Sequence, residues 1–449
     1  MKTSILILLN KIITITCKLL HKQGSVLPAS IVRKLDSNIL EKIKYPKYVI
    51  GVTGSSGKGS TTSLIAHILN ENNYNVIWNK SGSNVVNAAT TLILNNTNFF
   101  THKIKGDILL LELDESYIKE TFKNDTLTHL IITNITRDQP ARNGYPELIA
   151  SKIKSSLNPN SNIKIIYNAD DPLAYQIASS FNNITSYGIN KTKFSLTAPI
   201  SNNIDAAYCP ICHTKLKYDY YHYGHLGSYT CPNSNTDHIY ERKLDYVATN
   251  LNLEKATMKI NKNEIHLNKN VFFAAYYTLA AYTLCSEIGL ETNQILMALN
   301  DNIIESKRLK SLNFENRTIE MLESKNENNL SYLQSLNYIN NHNEDKTIIL
   351  GFDNVSRRYK HNDLSWLYDV DFETLDTTKI DKIYCIGRFR YDVYARLILA
   401  NINKDKLILV DNIKDLPKLL SISKGKIFTM VCFDMTAILK KIFTEEKND

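Results

Sequence analysis

The chemistry of this chain is densest in twelve residues, Gly51-Val52-Thr53-Gly54-Ser55-Ser56-Gly57-Lys58-Gly59-Ser60-Thr61-Thr62. Tyr48-Val49-Ile50 ahead of them reads as a buried strand, and Leu64, Ile65, Ile68 and Leu69 behind them recur at helical spacing. A glycine-rich turn between a strand and a helix can curl until its N–H groups converge on phosphate oxygens, and the helix N-terminus adds partial positive charge. Lys58 would reach the terminal phosphates, and Ser60 or Thr61 would ligate Mg²⁺. The spacing departs from G-x-x-x-x-G-K-[ST], because Val52 stands at the first glycine position and Gly59 directly follows the lysine. A flexible Gly/Ser linker is the competing reading, and the flanking strand and helix disfavour it. The expectation is nucleotide binding by Gly54, Ser55, Ser56, Gly57, Lys58, Gly59, Ser60 and Thr61.

Acids stand where such a loop would need them. Asp107-Ile108-Leu109-Leu110-Leu111-Glu112-Leu113 is a near-continuous apolar run with Glu112, Asp114 and Glu115 at its carboxyl end, the pattern of a central parallel strand. Carboxylates there can face the phosphate loop and hold Mg²⁺. Further strands are expected at 75–78, at 129–134 before Arg137-Asp138-Gln139, and at 163–167 before Asn168-Ala169-Asp170-Asp171-Pro172. Strands alternating with helical stretches, each ending in polar residues, give a doubly wound α/β sheet with its site at the carboxyl edge.

Residues 206–242 break this rhythm. Cys209-Pro210-Ile211-Cys212 is a C-x₂-C knuckle, and Cys231-Pro232-Asn233-Ser234 repeats it with Ser234 in place of the last cysteine. Four thiolates would close a structural zinc site; here Cys209, Cys212 and Cys231 are candidates, with His238, His213 or His225 as a fourth ligand, or no metal at all. Tyr218, Tyr220, Tyr221 and Tyr223 are expected to pack around this small knob. The seven cysteines, odd in number and mostly scattered, argue against a disulfide framework.

The 449 residues, 43% hydrophobic and 22% charged, imply a globular chain of two or three domains. The net charge of +8 is dispersed, with no basic block interleaved with aromatics, so nucleic acid is not an expected partner. In the first twenty residues Asn10, Lys11 and Lys18 interrupt the apolar run. It is too short to span a membrane and lacks a cleavage site, so an amphipathic helix packed on the main domain is expected in a cytoplasmic protein, with a membrane-surface helix as the competing reading. Val271 to Ala281 reads as a buried helix.

The series Gly57-Lys58, Asn79-Lys80-Ser81-Gly82-Ser83-Asn84, Glu112-Leu113-Asp114-Glu115, Arg137-Asp138-Gln139 and Asn168 to Pro172 resembles the central domain of the Mur ligase family. Gln139 stands where most members carry His, as in the MurT-type synthetases, whose zinc-ribbon insertion the stretch Tyr223 to Cys231 also resembles. Asp363-Leu364-Ser365-Trp366-Leu367-Tyr368-Asp369-Val370-Asp371-Phe372-Glu373 is similar to the signature of the MurT-type C-terminal domain, which ordinary Mur ligases lack. The resemblance implies three parts: an N-terminal helical segment over 1–47, a Mur ligase-like ATP-binding domain over 48–303 with its ribbon insertion, and a C-terminal α/β domain over 304–449. It places Lys58 at phosphate, Ser60 and Glu112 at Mg²⁺, and Asn134, Asp138, Arg308 and Lys325 around the nucleotide. The Arg308 and Lys325 matches are loose, and the asparagine that the family carries in the helix around 271–281 has no counterpart.

The implied reaction is ATP-dependent amidation. A carboxylate, on this resemblance the α-carboxyl of D-glutamate in the lipid II stem peptide, becomes an acyl phosphate that ammonia then displaces, giving D-isoglutamine. The implied partner is a GatD-like glutamine amidotransferase subunit, whose Cys-His pair Asp363, or failing that Asp369, would complete. Work at the inner membrane face without spanning it follows from a lipid-anchored substrate. A free-standing Mur or folylpolyglutamate-type ligase and a non-catalytic scaffold paralogue are the alternatives.

Overall fold

The computed structural model describes all residues except 1, 23, 81, 124, 200–203, 234, 236–239, 301–308, 356–362 and 446–449. The chain forms two compact units, one of residues 1–136, 145–199 and 204–304, the other of residues 137–144, 200–203 and 305–449.

In the first unit, β1 (Tyr48–Thr53), β2 (Val76–Trp78), β3 (Ile108–Glu112), β4 (His129–Ile132), β5 (Lys164–Asn168) and β6 (Ile184–Ile189) are parallel. A short hairpin of β7 (Lys217–Tyr223) and β8 (Leu226–Thr230) stands apart. The sheet then resumes with β9 (Tyr246–Asn252), parallel to β6, and the antiparallel pair β10 (Thr257–Ile260) and β11 (Asn263–His266). The order is β11-β10-β9-β6-β5-β4-β1-β3-β2. Ile108 to Leu111 are all fully buried, as a strand covered on both faces requires. After β3 the chain crosses back past β1 to reach β4, so the winding reverses beside β1, where doubly wound sheets bind ligands.

The helix Phe272–Glu287, apolar on every side, is buried from Ala274 to Cys285 and packs on the helix that follows β1. At the N-terminus, α1 (Lys2–Leu19) and α2 (Leu27–Leu35) pack on each other and on the helix Val86–Asn95, and Leu6, Ile7 and Val32 join the core of this unit.

The second unit is built on β12 (Leu309–Phe314), β13 (Arg317–Glu323), β14 (Lys346–Gly351), β15 (Ile380–Ile386), β16 (Leu407–Leu409) and β17 (Lys426–Val431). Their order is β12-β13-β17-β14-β15-β16, parallel except for the edge pair β12–β13. Trp366, in a 3₁₀ turn over Ser365–Asp369, lies between Tyr332 and Phe352 with ring centroids 5.3 Å from each. The polar residues around it are thereby set on a rigid aromatic base.

Candidate functional site

The loop after β1 is held by the end of β4. Gly54, at φ +125°, has no room for a side chain, because a Cβ would fall 2.3 Å from Thr133 Oγ1 and 2.7 Å from the Asn134 carbonyl. Asn134 Oδ1 accepts from both the backbone N–H and the hydroxyl of Ser56 at 3.1 Å. The Ser55 hydroxyl accepts from Thr136 N and donates to Thr136 O, each at 2.9 Å. Ser55, Ser56 and Asn134 therefore brace the loop. Gly57, at φ +81°, leads into the helix Lys58–Glu71, whose first turn holds Gly59, Ser60 and Thr61.

Lys58 is buried, and its ammonium donates to the Gly54 carbonyl and to Glu115 Oε1 at 2.7 Å. Glu115 is as buried as its partner, so two charges that are each costly to desolvate neutralise one another. The sequence groups Glu115 with Glu112 and Asp114 as carboxylates facing the loop, and the structure gives it a different task from metal binding, as the partner of Lys58. Asn79 fixes Glu112 from β2, accepting from its N–H at 2.9 Å and donating to its carbonyl at 3.1 Å. The half-buried Glu112 carboxylate leans over Gly59, where a Cβ would lie 3.1 Å from Oε2. The residue that meets Glu112 is thus the glycine directly after the lysine, the position where a hydroxyl side chain is otherwise expected. Thr61 Oγ1 is buried with no hydrogen-bond partner among the described residues. A curled loop at a helix N-terminus, a buried lysine and a carboxylate at its rim fit a nucleotide phosphate with a hard cation.

The pair Asp170-Asp171 serves the insertion. Asp170 accepts from Arg242 Nε at 2.5 Å, the Tyr276 hydroxyl at 2.7 Å and Ile189 N at 2.9 Å. Asp171 caps the helix Pro172–Ala178, and its Oδ1 lies 3.0 Å from His225 Nε2. Burial opposes a charge on His225, yet Asp171 together with Asp205 and Glu147 outweighs it and raises the imidazole above its ordinary range. His225 faces Asp171 and is not part of the cysteine cluster, which removes it as a fourth metal ligand. The sulfurs of Cys209, Cys212 and Cys231 lie within 4.8 Å of one another, with Cys212 and Cys231 at 3.5 Å. No histidine joins this cluster among the described residues, which removes His213 as well; Ser234 and His238 lie outside them. Tyr218 stacks on Tyr221 at 4.3 Å, both half-buried, and the buried Tyr223 packs against Phe272 and Tyr276, so these tyrosines serve packing.

In the second unit, Asp138 and Lys325 meet each other: Nζ to Oδ2 is 2.6 Å. Asn328, the N-cap of the helix Asn329–Asn340, donates to Asp138 Oδ1 at 3.0 Å, and Gln139 N donates to the Glu327 carbonyl at 2.8 Å. Burial first, then Asp138 and Asp363, push the Glu327 carboxyl up to about 7. Asp369 is engaged by Arg137 at 2.8 Å. Asp363 is exposed, accepts from Ser365 N at 2.9 Å, and is held below the usual carboxylate range by Ser365. Arg308 lies outside the described residues.

Residues 52–234 match the Mur ligase middle domain, and residues 325–435 match the MurT ligase C-terminal domain. The chain is 29% identical over 389 residues to the lipid II isoglutaminyl synthase (glutamine-hydrolyzing) subunit MurT of Staphylococcus aureus, covering 85% of this chain and 84% of that protein. The subunit of the same name from Streptococcus pneumoniae is 24% identical over 401 residues, 88% of this chain and 87% of the other. Among solved structures, a pseudomurein peptide ligase type C from Methanothermus fervidus superposes with a TM-score of 0.65 at 19% identity, over 91% of this chain and 80% of that one. MurF ligase from Thermotoga maritima, solved in complex with ADP, gives 0.58 at 16% identity over 94% and 85%. The fold is that of the Mur ligases. Among the described residues no helix is long and apolar enough to cross a membrane.

Proposed function

We propose that this chain, with a middle domain of the Mur ligase family and a C-terminal domain of MurT type, is the ATP-dependent synthetase subunit of a lipid II isoglutaminyl synthase. The observation that carries the reading is the joining of those two domains in one chain, along with similarity to MurT subunits over most of their length. The substrate is the α-carboxyl of D-glutamate in the stem peptide of lipid II, and the partner is a GatD-like glutaminase that supplies ammonia. The site of work is the cytoplasmic face of the membrane.

Lys58 and the loop N–H groups hold the phosphates of ATP, and Lys58 offsets negative charge as phosphate passes to the substrate carboxylate. Glu115 keeps Lys58 aimed across the loop. Glu112, with Ser60 in the first helical turn, would hold Mg²⁺, which would supply positive charge against the repulsion between the carboxylate and the phosphates. The bracing by Asn134 and Ser55 keeps the loop N–H groups pre-aimed, so little reorganisation accompanies the transfer. Cys209, Cys212 and Cys231 would hold a structural zinc in the insertion, where it would fix the fold of the knob. Asp363, exposed and ionised, is the better placed of the two acids to orient the imidazole of the partner, since Asp369 is taken by Arg137.

The test is amidation of lipid II by the purified chain mixed with its glutaminase, ATP, Mg²⁺ and glutamine, read by mass spectrometry as conversion of a carboxyl to a carboxamide. Turnover that vanishes in Lys58→Ala supports the reading. ATP consumption only when a free amino acid is supplied would replace it with a stand-alone ligase.

A further inference from the structure

The helix α1 is apolar on two sides, one buried through Leu6, Ile7 and Cys17 and one exposed. Its inner face carries the polar Asn10 and Thr14, which bond Asn95 and the Thr91 carbonyl of the helix beneath, with Asn10 Nδ2 at 2.9 Å from Asn95 Oδ1. Its outer face carries Ile5, Leu8, Ile12, Ile15 and Leu19, each between 46% and 75% exposed. At 100° per residue these five side chains fall within an arc of about 80°. Leu6, Ile7 and Cys17 already bury one apolar side of this helix against the domain, so the exposed row is in excess of what that packing uses. The neighbouring α2 does the same, with Leu27, Ile31 and Leu35 exposed at a spacing of four while Ala29 and Val32 are buried. Monomeric soluble proteins rarely leave apolar rows of this length uncovered.

Charge selects what covers them. Residues 1–35 contain Lys2, Lys11, Lys18, Lys22, Arg33 and Lys34 and no acidic residue at all. A second copy of the chain would bring the same cations to the same face, and the two would repel. An anionic lipid surface satisfies both halves of the pattern, because the isoleucine row enters the acyl boundary while exposed lysines such as Lys18 and Lys22 reach the headgroups.

We propose that α1 and α2 form an interfacial membrane-docking surface, lying on an anionic bilayer without crossing it. The argument rests on exposure, polarity and charge and not on the proposed reaction, so the two fail separately. It gives the enzyme a route to a lipid-anchored substrate.

The experiment is co-sedimentation of the full chain with vesicles of phosphatidylglycerol and phosphatidylcholine, against phosphatidylcholine alone. The wild type should pellet with the anionic vesicles and dissociate with added salt. The variant Ile5→Ser/Leu8→Ser/Ile12→Ser/Ile15→Ser should lose about tenfold or more of that binding, and Lys18→Glu/Lys22→Glu several-fold. Both variants should keep the wild-type thermal midpoint, since the altered side chains are exposed. Wild-type protein that stays in the supernatant at millimolar anionic lipid overturns the proposal, as does equal binding by the serine variant. A wild-type dimer in light scattering that the serine substitutions split would assign the face to a second copy instead. Loss of amidation with vesicle binding intact would sink the proposed reaction and leave this surface standing.

Discussion

Lys58 is held by a carboxylate 57 residues further along the chain, and both groups are withdrawn from water. Breaking such a pair from one side leaves an uncompensated buried charge, which typically costs about 3–5 kcal/mol. Lys58→Ala should therefore lower the denaturation midpoint of the first unit as well as abolish amidation. The double variant Lys58→Met/Glu115→Leu should recover much of the stability and none of the activity. That pattern, read by chemical denaturation beside turnover, separates the structural part of Lys58 from its catalytic part. Gly59 offers a finer probe, because a Cβ there stands 3.1 Å from the Glu112 carboxylate, which is flexible enough to yield by a few tenths of an ångström. Gly59→Ala should leave thermal stability nearly unchanged and raise the Mg²⁺ concentration needed for half-maximal activity several-fold. An unchanged Mg²⁺ dependence would detach Glu112 from the metal.

Two elements carry predictions of their own. The turn between β13 and the helix Asn329–Asn340 holds Glu327 at φ +56°, with its carboxyl raised from 4.5 to about 7 by burial and by Asp138 and Asp363. Between those two values the folded chain retains a proton that the unfolded chain has released, so the stability of the second unit falls as pH rises through that window. Glu327→Gln should flatten the slope and raise the midpoint at pH 8 relative to wild type; denaturant titrations at pH 5 and pH 8 measure it. The ribbon insertion is the second such element. Its three thiols within 4.8 Å should bring about one zinc per chain through purification, and Cys212→Ser should lose it. Elemental analysis decides the point. The anchoring of that insertion through Arg242 to Asp170 and His225 to Asp171 left no trace in the sequence pattern, because each pair joins residues far apart whose types are ordinary on a surface.

Across the whole molecule, what could be read in advance was what local patterns encode. The loop, the apolar strand ending at Glu112, the cysteine knuckle and the Trp366 cluster each announce themselves within a dozen residues. Partners could not be read. Asp138 and Lys325 were each expected beside nucleotide, and the fold pairs them across 187 residues. The N-terminal helix packs on the domain through Leu6 and Ile7 as expected, but the second apolar row that it leaves exposed could not be told from a packed face before the bonds of Asn10 and Thr14 to Asn95 fixed its rotation. The same distinction governs the last test. Lys58 belongs to the first unit and Asp363 to the second, and the proposed reaction gives them different halves of the chemistry. On that proposal Asp363 would orient the imidazole of the partner glutaminase, so Asp363→Asn should lose glutamine-dependent amidation by a factor on the order of 10²–10⁴, as when an orienting acid is lost from a catalytic triad. Because the acyl phosphate is formed elsewhere, the same variant should amidate normally when ammonium chloride replaces glutamine. Lys58→Ala should fail with either nitrogen source. If Asp363→Asn also fails with ammonium, Asp363 is part of the synthetase and the division of labour between the two units is wrong.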